Sequence, residues 1–219
     1  MIERVWRSRG VDTATMTSVS RPHWDFVFWQ GADGIHAGVQ GPESRASQAP
    51  VPSNSEFLGI RLALGAFVPG FSMPQLVDRF VELPVERDWF TLAGDRIRKP
   101  RFTDAEQFVA LLVRRGLLDS ADVRDAAATD RTRQRRYLAS VGLPQRTVQQ
   151  IERANDAAVR LREGQAPAAV AQDTGYFDQP HMARSLRRFI GPSATELADA
   201  NHPGSPLSLL YKTEPVRAQ

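Results

Sequence analysis

The feature that most constrains this fold is a change of hydrophobic period near Thr103. Before it apolar residues alternate as along a strand, and after it they recur every three to four residues as on a helix face. In "HWDFVFW" and "IHAGVQ" aromatic and β-branched residues predominate, with Ile35, Ala37 and Val39 alternating with His36, Gly38 and Gln40. The "GADG" between them is a turn signal, so the pair predicts a hairpin. A loop rich in Pro, Ser and Gly covers 41–55, and "EFLGIRLALGAFV" is a further strand run. Strand signals thus extend from about residue 16 to 68, and "SMPQLVDRFVELP" fits a short helix or turn with Pro74 near its start.

Beyond the change, "TDAEQFVALLVRRGLL" opens with Thr103 and Glu106 in capping-box spacing, repeats Phe108, Leu111 and Leu112 on one face, and ends near Gly116. Helices are expected next over 119–127, 131–141, 144–163, 167–174, 178–190 and 193–199. The expected fold class is α+β. A β-rich, barrel-like N-terminal domain takes 1–102, a connecting helix 103–118, an all-α domain 119–199, and a flexible Pro- and Ser-rich tail 200–219.

Composition excludes several functions. The chain has no cysteine, which removes disulfides, thiolate zinc sites and cysteine nucleophiles, and fits a reducing compartment. The N-terminus lacks an apolar leader core, and the most hydrophobic run is broken by Arg61, so the expectation is a cytoplasmic protein with no membrane segment. Charge is uneven: residues 1–95 hold 8 Lys and Arg against 11 Asp and Glu, while 96–191 hold 18 against 11. Of those 18 cations 17 are arginine, whose planar fork suits phosphates and guanine edges.

The stretch "GYFDQPHMARSLRRFIG" shows how that charge is arranged. With Asp178 as N-cap, Met182, Leu186, Phe189 and Ile190 share one side of a helix, and His181, Arg184, Arg187 and Arg188 the other. The preceding "PAAVAQDTG" places Pro167 at a helix start, small Ala171 where two helices can cross closely, and Gly175 in the turn. This is a helix-turn-helix pattern, in which the second helix enters the major groove of DNA. About fifty residues upstream, "DSADVRDAAATDRTRQRRYLASVG" reads as a second unit, with Arg131, Gln134 and Arg135 on one side of its second helix. Between the two runs a helix with an apolar seam of Val148, Ile151, Ala154, Ala158 and Leu161. A helix of around 20 residues spans roughly 30 Å, close to one turn of B-DNA.

These residues resemble the AraC/XylS-type transcription regulators over about 119–199. "AAVAQDTGYFDQPHMARSLRRFIGPSATEL" is similar to that family's second unit and closing signature, and "RTRQRRY" with "VGLPQRTVQQIERA" to its first reading helix and linker. The resemblance implies a sequence-specific double-stranded-DNA-binding regulator with no catalysis and no cofactor. It implies groove-facing Arg131, Gln134 and Arg135 in the first unit and Gln179, His181 and Arg184 in the second, with Arg187 and Arg188 on phosphates. It leaves RNA polymerase as a further partner, and monomer or homodimer open. Arg133 departs from the family pattern, which has an apolar residue there, and Asn155 and Asp156 are poor helix formers within the linker.

The first half resembles the small β-rich sensor-like domains attached to some of these regulators, through "IERVWRSR", "GPESRA" and "FLGIRL". That implies ligand sensing or dimerisation, with a small-molecule effector as partner. Trp24, Phe26 and Phe28 could line a pocket, but are read as core in preference to that. Two alternatives stand beside this reading. One is a cupin-like metal-dependent enzyme in which His23, His36 and Glu43 hold iron or zinc. The other is a protein-binding regulator with weak DNA affinity, for which Arg133 is the motive.

Overall fold

Alternation in the first half is realised as antiparallel sheet and periodicity in the second as helix, so the fold is α+β. The computed structural model describes residues 1–10, 15–121 and 130–199. The expected tail and most of the helix expected at 119–127 lie outside the described residues. The first elements are β1 (Ile2–Arg9), β2 (Thr15–Ser18), β3 (Asp25–Gly31), β4 (Gly34–Gln40), β5 (Ser47–Pro50), β6 (Glu56–Leu62) and β7 (Ala66–Phe67). Then come α1 (Met73–Leu76), β8 (Phe80–Leu83), β9 (Val85–Glu86), β10 (Trp89–Leu92), β11 (Asp95–Arg98), α2 (Ala105–Arg114) and β12 (Asp119–Ser120). The helical region holds α3 (Asp130–Val141), α4 (Gln145–Arg162), α5 (Pro167–Asp173), α6 (Gln179–Phe189) and α7 (Ala194–Ala198).

The main sheet has the order β1-β6-β3-β4-β8. The expected hairpin is β3 and β4, in register from Asp25 opposite Gln40 to Gly31 opposite Gly34. That register turns Phe26, Phe28, Ala37 and Val39 to one side, where they are buried with Ile60 and Leu62 of β6. α2 lies on this face. Its Phe108 ring stands edge-on to Phe26 at 5.7 Å and to Phe28 at 5.8 Å, and Phe90 closes the cluster at 6.1 Å. Trp24 is buried beside them, its indole N–H donating to the Ala66 carbonyl at 2.7 Å. These aromatic side chains fill the first core, as read from the sequence.

Several elements differ from expectation. The segment expected as a connecting helix supplies Phe108, Val109 and Leu112 to the N-terminal core. Its expected Thr103–Glu106 capping box does not form. A 3-10 turn at Phe102–Asp104 precedes the helix instead, and the Asp104 carboxylate accepts from the Arg101 backbone N–H. Residues 119 and 120 form β12 against β7 rather than beginning a helix. β1 and the strands β8 to β11 were hidden. β1 carries Arg4, Arg7 and Arg9, charges that mask the alternation of a strand with one wet face. β10 and β11 meet at Ala93-Gly94, with φ of 50° and 89°. A two-residue turn with both φ positive is usually announced by Asn-Gly or Asp-Gly, and alanine there conceals it.

The second core is helical and reaches back into the first half. Val148, Ile151, Ala154, Ala158 and Leu161 are all buried along α4, the seam read from the sequence, and Val19, Leu64 and Val77 of the N-terminal half pack with them. At the α3–α4 turn Gly142 adopts φ 85°, and a Cβ there would sit 2.7 Å from the Met73 carbonyl oxygen, so only glycine serves. Among the described residues no helix is long and apolar enough to cross a membrane.

Candidate nucleic-acid interface

α6 is shaped by its own sequence. Asp178 caps it, Oδ1 accepting from the His181 backbone N–H at 2.6 Å, and Pro180 occupies the first turn, where its missing donor costs nothing. Met182, Leu186 and Phe189 are buried, whereas Gln179, His181, Arg184, Arg187 and Arg188 are exposed. α5 begins at Pro167, buries Ala171, and is followed by Gly175 with φ 72° in the turn between the two helices.

α4 fastens this turn and widens the basic surface. Arg153 donates to the Gly175 carbonyl at 3.3 Å while its guanidinium lies 5.5 Å above the Tyr176 ring. The Tyr176 hydroxyl donates to Ser185 at 2.8 Å, and the His181 ring meets the Tyr176 ring edge-on at 5.2 Å. Burial raises the Tyr176 hydroxyl above the ordinary phenol range, against opposing effects of Ser185 and Arg153. Between α4 and α6 opens a cleft of about 380 Å³, with Arg146, Gln149 and Arg153 on one wall and His181, Arg184 and Arg188 on the other. No carboxylate lines it among the described residues. Such a surface attracts anions.

The structure therefore brings His181, Arg184 and Arg188 together with three α4 residues not singled out from the sequence. A signal was present: Arg146, Gln149 and Arg153 stand three and seven apart, on one helical stripe opposite the buried seam. Arg187 is turned elsewhere, donating to the Gly191 carbonyl at 3.2 Å and lying 3.8 Å from Glu196. It closes the end of its own helix. Phe177, also not singled out, is 92% exposed next to the Asp178 cap.

α3 presents Arg131, Gln134 and Arg135 on an exposed stripe, outside the α4–α6 cleft. Arg133 and Tyr137 are half-buried on the opposite side with Ser140 and Val141, as the wheel predicts. The Ser140 hydroxyl turns back to the Arg136 carbonyl at 3.0 Å. Tyr137 has its hydroxyl raised by burial and by Glu152.

The far end of α6 is held by the N-terminal half. The last carbonyls of a helix have no partner within it. Here the Arg188 carbonyl accepts from the Ala46 N–H at 2.9 Å and the Phe189 carbonyl from the Ser20 N–H at 2.8 Å. Asn155 of α4 joins this junction, donating through Nδ2 to the Ser20 carbonyl at 3.1 Å. That contact accounts for the poor helix former in the linker.

The residues considered for a metal are not assembled. His23 Nε2 lies 2.6 Å from Glu3, His36 Nε2 lies 3.0 Å from Asp33 with its ring stacked on Trp29 at 4.7 Å, and Glu43 accepts from Arg21 at 3.0 Å. Among the described residues no group of three or more His, Cys, Asp or Glu could hold a metal ion. No protein-family model, curated protein or solved structure matches the chain.

Proposed function

We infer that the chain is a sequence-specific double-stranded-DNA-binding transcription regulator of the AraC/XylS type, reading DNA with α3 and α6. The observation that carries the reading is the α4–α6 cleft, where arginines from two helices converge and no carboxylate lines it among the described residues. Three further features support it. α5, the Gly175 turn and α6 have the sequence and spacing of a helix-turn-helix unit. α3 carries a second exposed stripe of Arg131, Gln134 and Arg135. The 18 residues of α4 extend about 27 Å, comparable with the roughly 34 Å between successive major grooves on one face of a duplex.

In this reading Arg131, Gln134, Arg135, Gln179, His181 and Arg184 face base edges, and Arg146, Arg153 and Arg188 neutralise phosphates. The N-terminal half serves as a sensor or dimerisation unit. Fluorescence anisotropy with a labelled random-sequence duplex tests the phosphate term. Affinity should fall steeply and log-linearly with salt, and Arg153→Ala should lower both affinity and slope, the slope by about one ion. A salt-independent interaction, or a slope untouched by loss of Arg153, would count against it.

A further inference from the structure

Among the described aromatic residues of the helical region, Tyr176 and Phe189 are buried and Tyr137 is half-buried, but Phe177 is 92% exposed. The next most exposed large apolar residue among those described, Val159, reaches 44%. A single apolar side chain at the surface is ordinary. Two further observations set Phe177 apart: the backbone that carries it is fixed, and its surroundings are cationic.

Both neighbours in sequence are pinned. The Tyr176 N–H donates to the Ala171 carbonyl at 2.9 Å, its ring is buried, and its hydroxyl donates to Ser185 at 2.8 Å. Asp178 accepts from the His181 N–H at 2.6 Å through its side chain and from the Met182 N–H at 3.1 Å through its carbonyl. Phe177 thus stands at a fixed corner between the Gly175 turn and α6. Tyr176 takes the inner side of that corner, and the Phe177 ring is left in water, adding nothing to the core beneath it. Covering such a ring is favourable.

The corner borders the basic cleft. Arg153 of α4 donates to the Gly175 carbonyl at 3.3 Å, and Tyr176 lines the cleft with His181 and Arg184. The adjacent acid, Asp178, is occupied as the helix cap. An apolar ring beside a cationic cleft fits a partner that is anionic and carries apolar spots. The major groove of DNA is such a surface, with phosphates along its rims and the C5-methyl group of thymine on its floor.

We propose that Phe177 is a specificity residue, its ring covering the C5-methyl group of a thymine in the half-site read by α6. The proposal rests on the assignment of α6 to the major groove. Because Phe177 precedes the cap, that thymine lies at the end of the half-site nearest the start of the helix, next to the bases faced by Gln179 and His181. The contact is apolar and tells thymine from a base without the methyl group.

The test takes the duplex that the full chain enriches from a random-sequence pool and replaces each thymine singly by deoxyuridine, which keeps the base pair and removes the methyl. In the half-site that Arg184→Ala relaxes, one such replacement should weaken binding about fourfold, read by fluorescence anisotropy. Phe177→Ala should bind the thymine duplex about tenfold more weakly and should bind the uridine duplex as well as the thymine one. Its urea midpoint should match that of the native protein, because the ring is in water. Native affinity in Phe177→Ala, a uridine effect that persists in that variant, or an α6 half-site without thymine would overturn the contact. A lowered urea midpoint would make the ring structural and overturn it too. If no duplex is enriched, the DNA-reading role of α6 fails and the proposal with it. A duplex enriched and read by Arg184 but indifferent to Phe177 overturns the proposal alone.

Discussion

α6 buries Met182, Leu186 and Phe189 on one face, while α3 turns Arg133, Tyr137, Ser140 and Val141 to its inner side and leaves Leu138 40% exposed. Both helices carry arginine on the outer face, but they are held differently. α6 has an apolar stripe, an aspartate cap and backbone bonds to the N-terminal half at its last carbonyls. α3 has a weaker stripe and depends on its neighbours, with Gly142 at its end pressed against the Met73 carbonyl. The comparison teaches that outward charge and inward anchoring are separable. One helix can lose charge without losing its place, and the other owes its place to surrounding packing.

The largest expected effect breaks the anchoring of α6. Leu186→Ala, at a fully buried position, should destabilise the protein by about 2–5 kcal/mol, read as a lower urea midpoint. An unchanged midpoint would mean that the stripe does not hold the helix. Next come the outward charges. Arg184→Ala and Arg135→Ala should each cost about 1–3 kcal/mol of specific DNA binding while leaving the urea midpoint in place. If only Arg184→Ala matters, α3 takes no part in reading. Removing the cap is smaller: Asp178→Ala should lower stability by about 1 kcal/mol through loss of the bond to the His181 N–H. Leu138→Ala on α3 should be the mildest, within about 0.5 kcal/mol, because the residue lies at the surface, 40% exposed.

What the sequence revealed follows the same division. α6 was legible because its cap, stripe and glycine turn are local signals that agree with one another. α4 was legible by its seam, and the β3–β4 hairpin by its alternation and turn. β1 was not, because its arginines lie along a strand whose partners are distant in sequence. The β10–β11 hairpin was concealed by alanine at a left-handed turn position. Asn155 looked like a flaw in a helix until its contact with Ser20, 135 residues away, gave it a reason. The cleft was half visible: His181, Arg184 and Arg188 were read from α6, but their convergence with Arg146 and Arg153 depends on how two helices pack.

The most direct measurement is selection of bound sequences from a random duplex pool by the full chain, repeated with Arg135→Ala and with Arg184→Ala. The expected result is a bipartite motif with half-sites about ten base pairs apart, each substitution relaxing a different half. Failure to enrich any motif, or a single half-site indifferent to both substitutions, would contradict the reading of one duplex by α3 and α6.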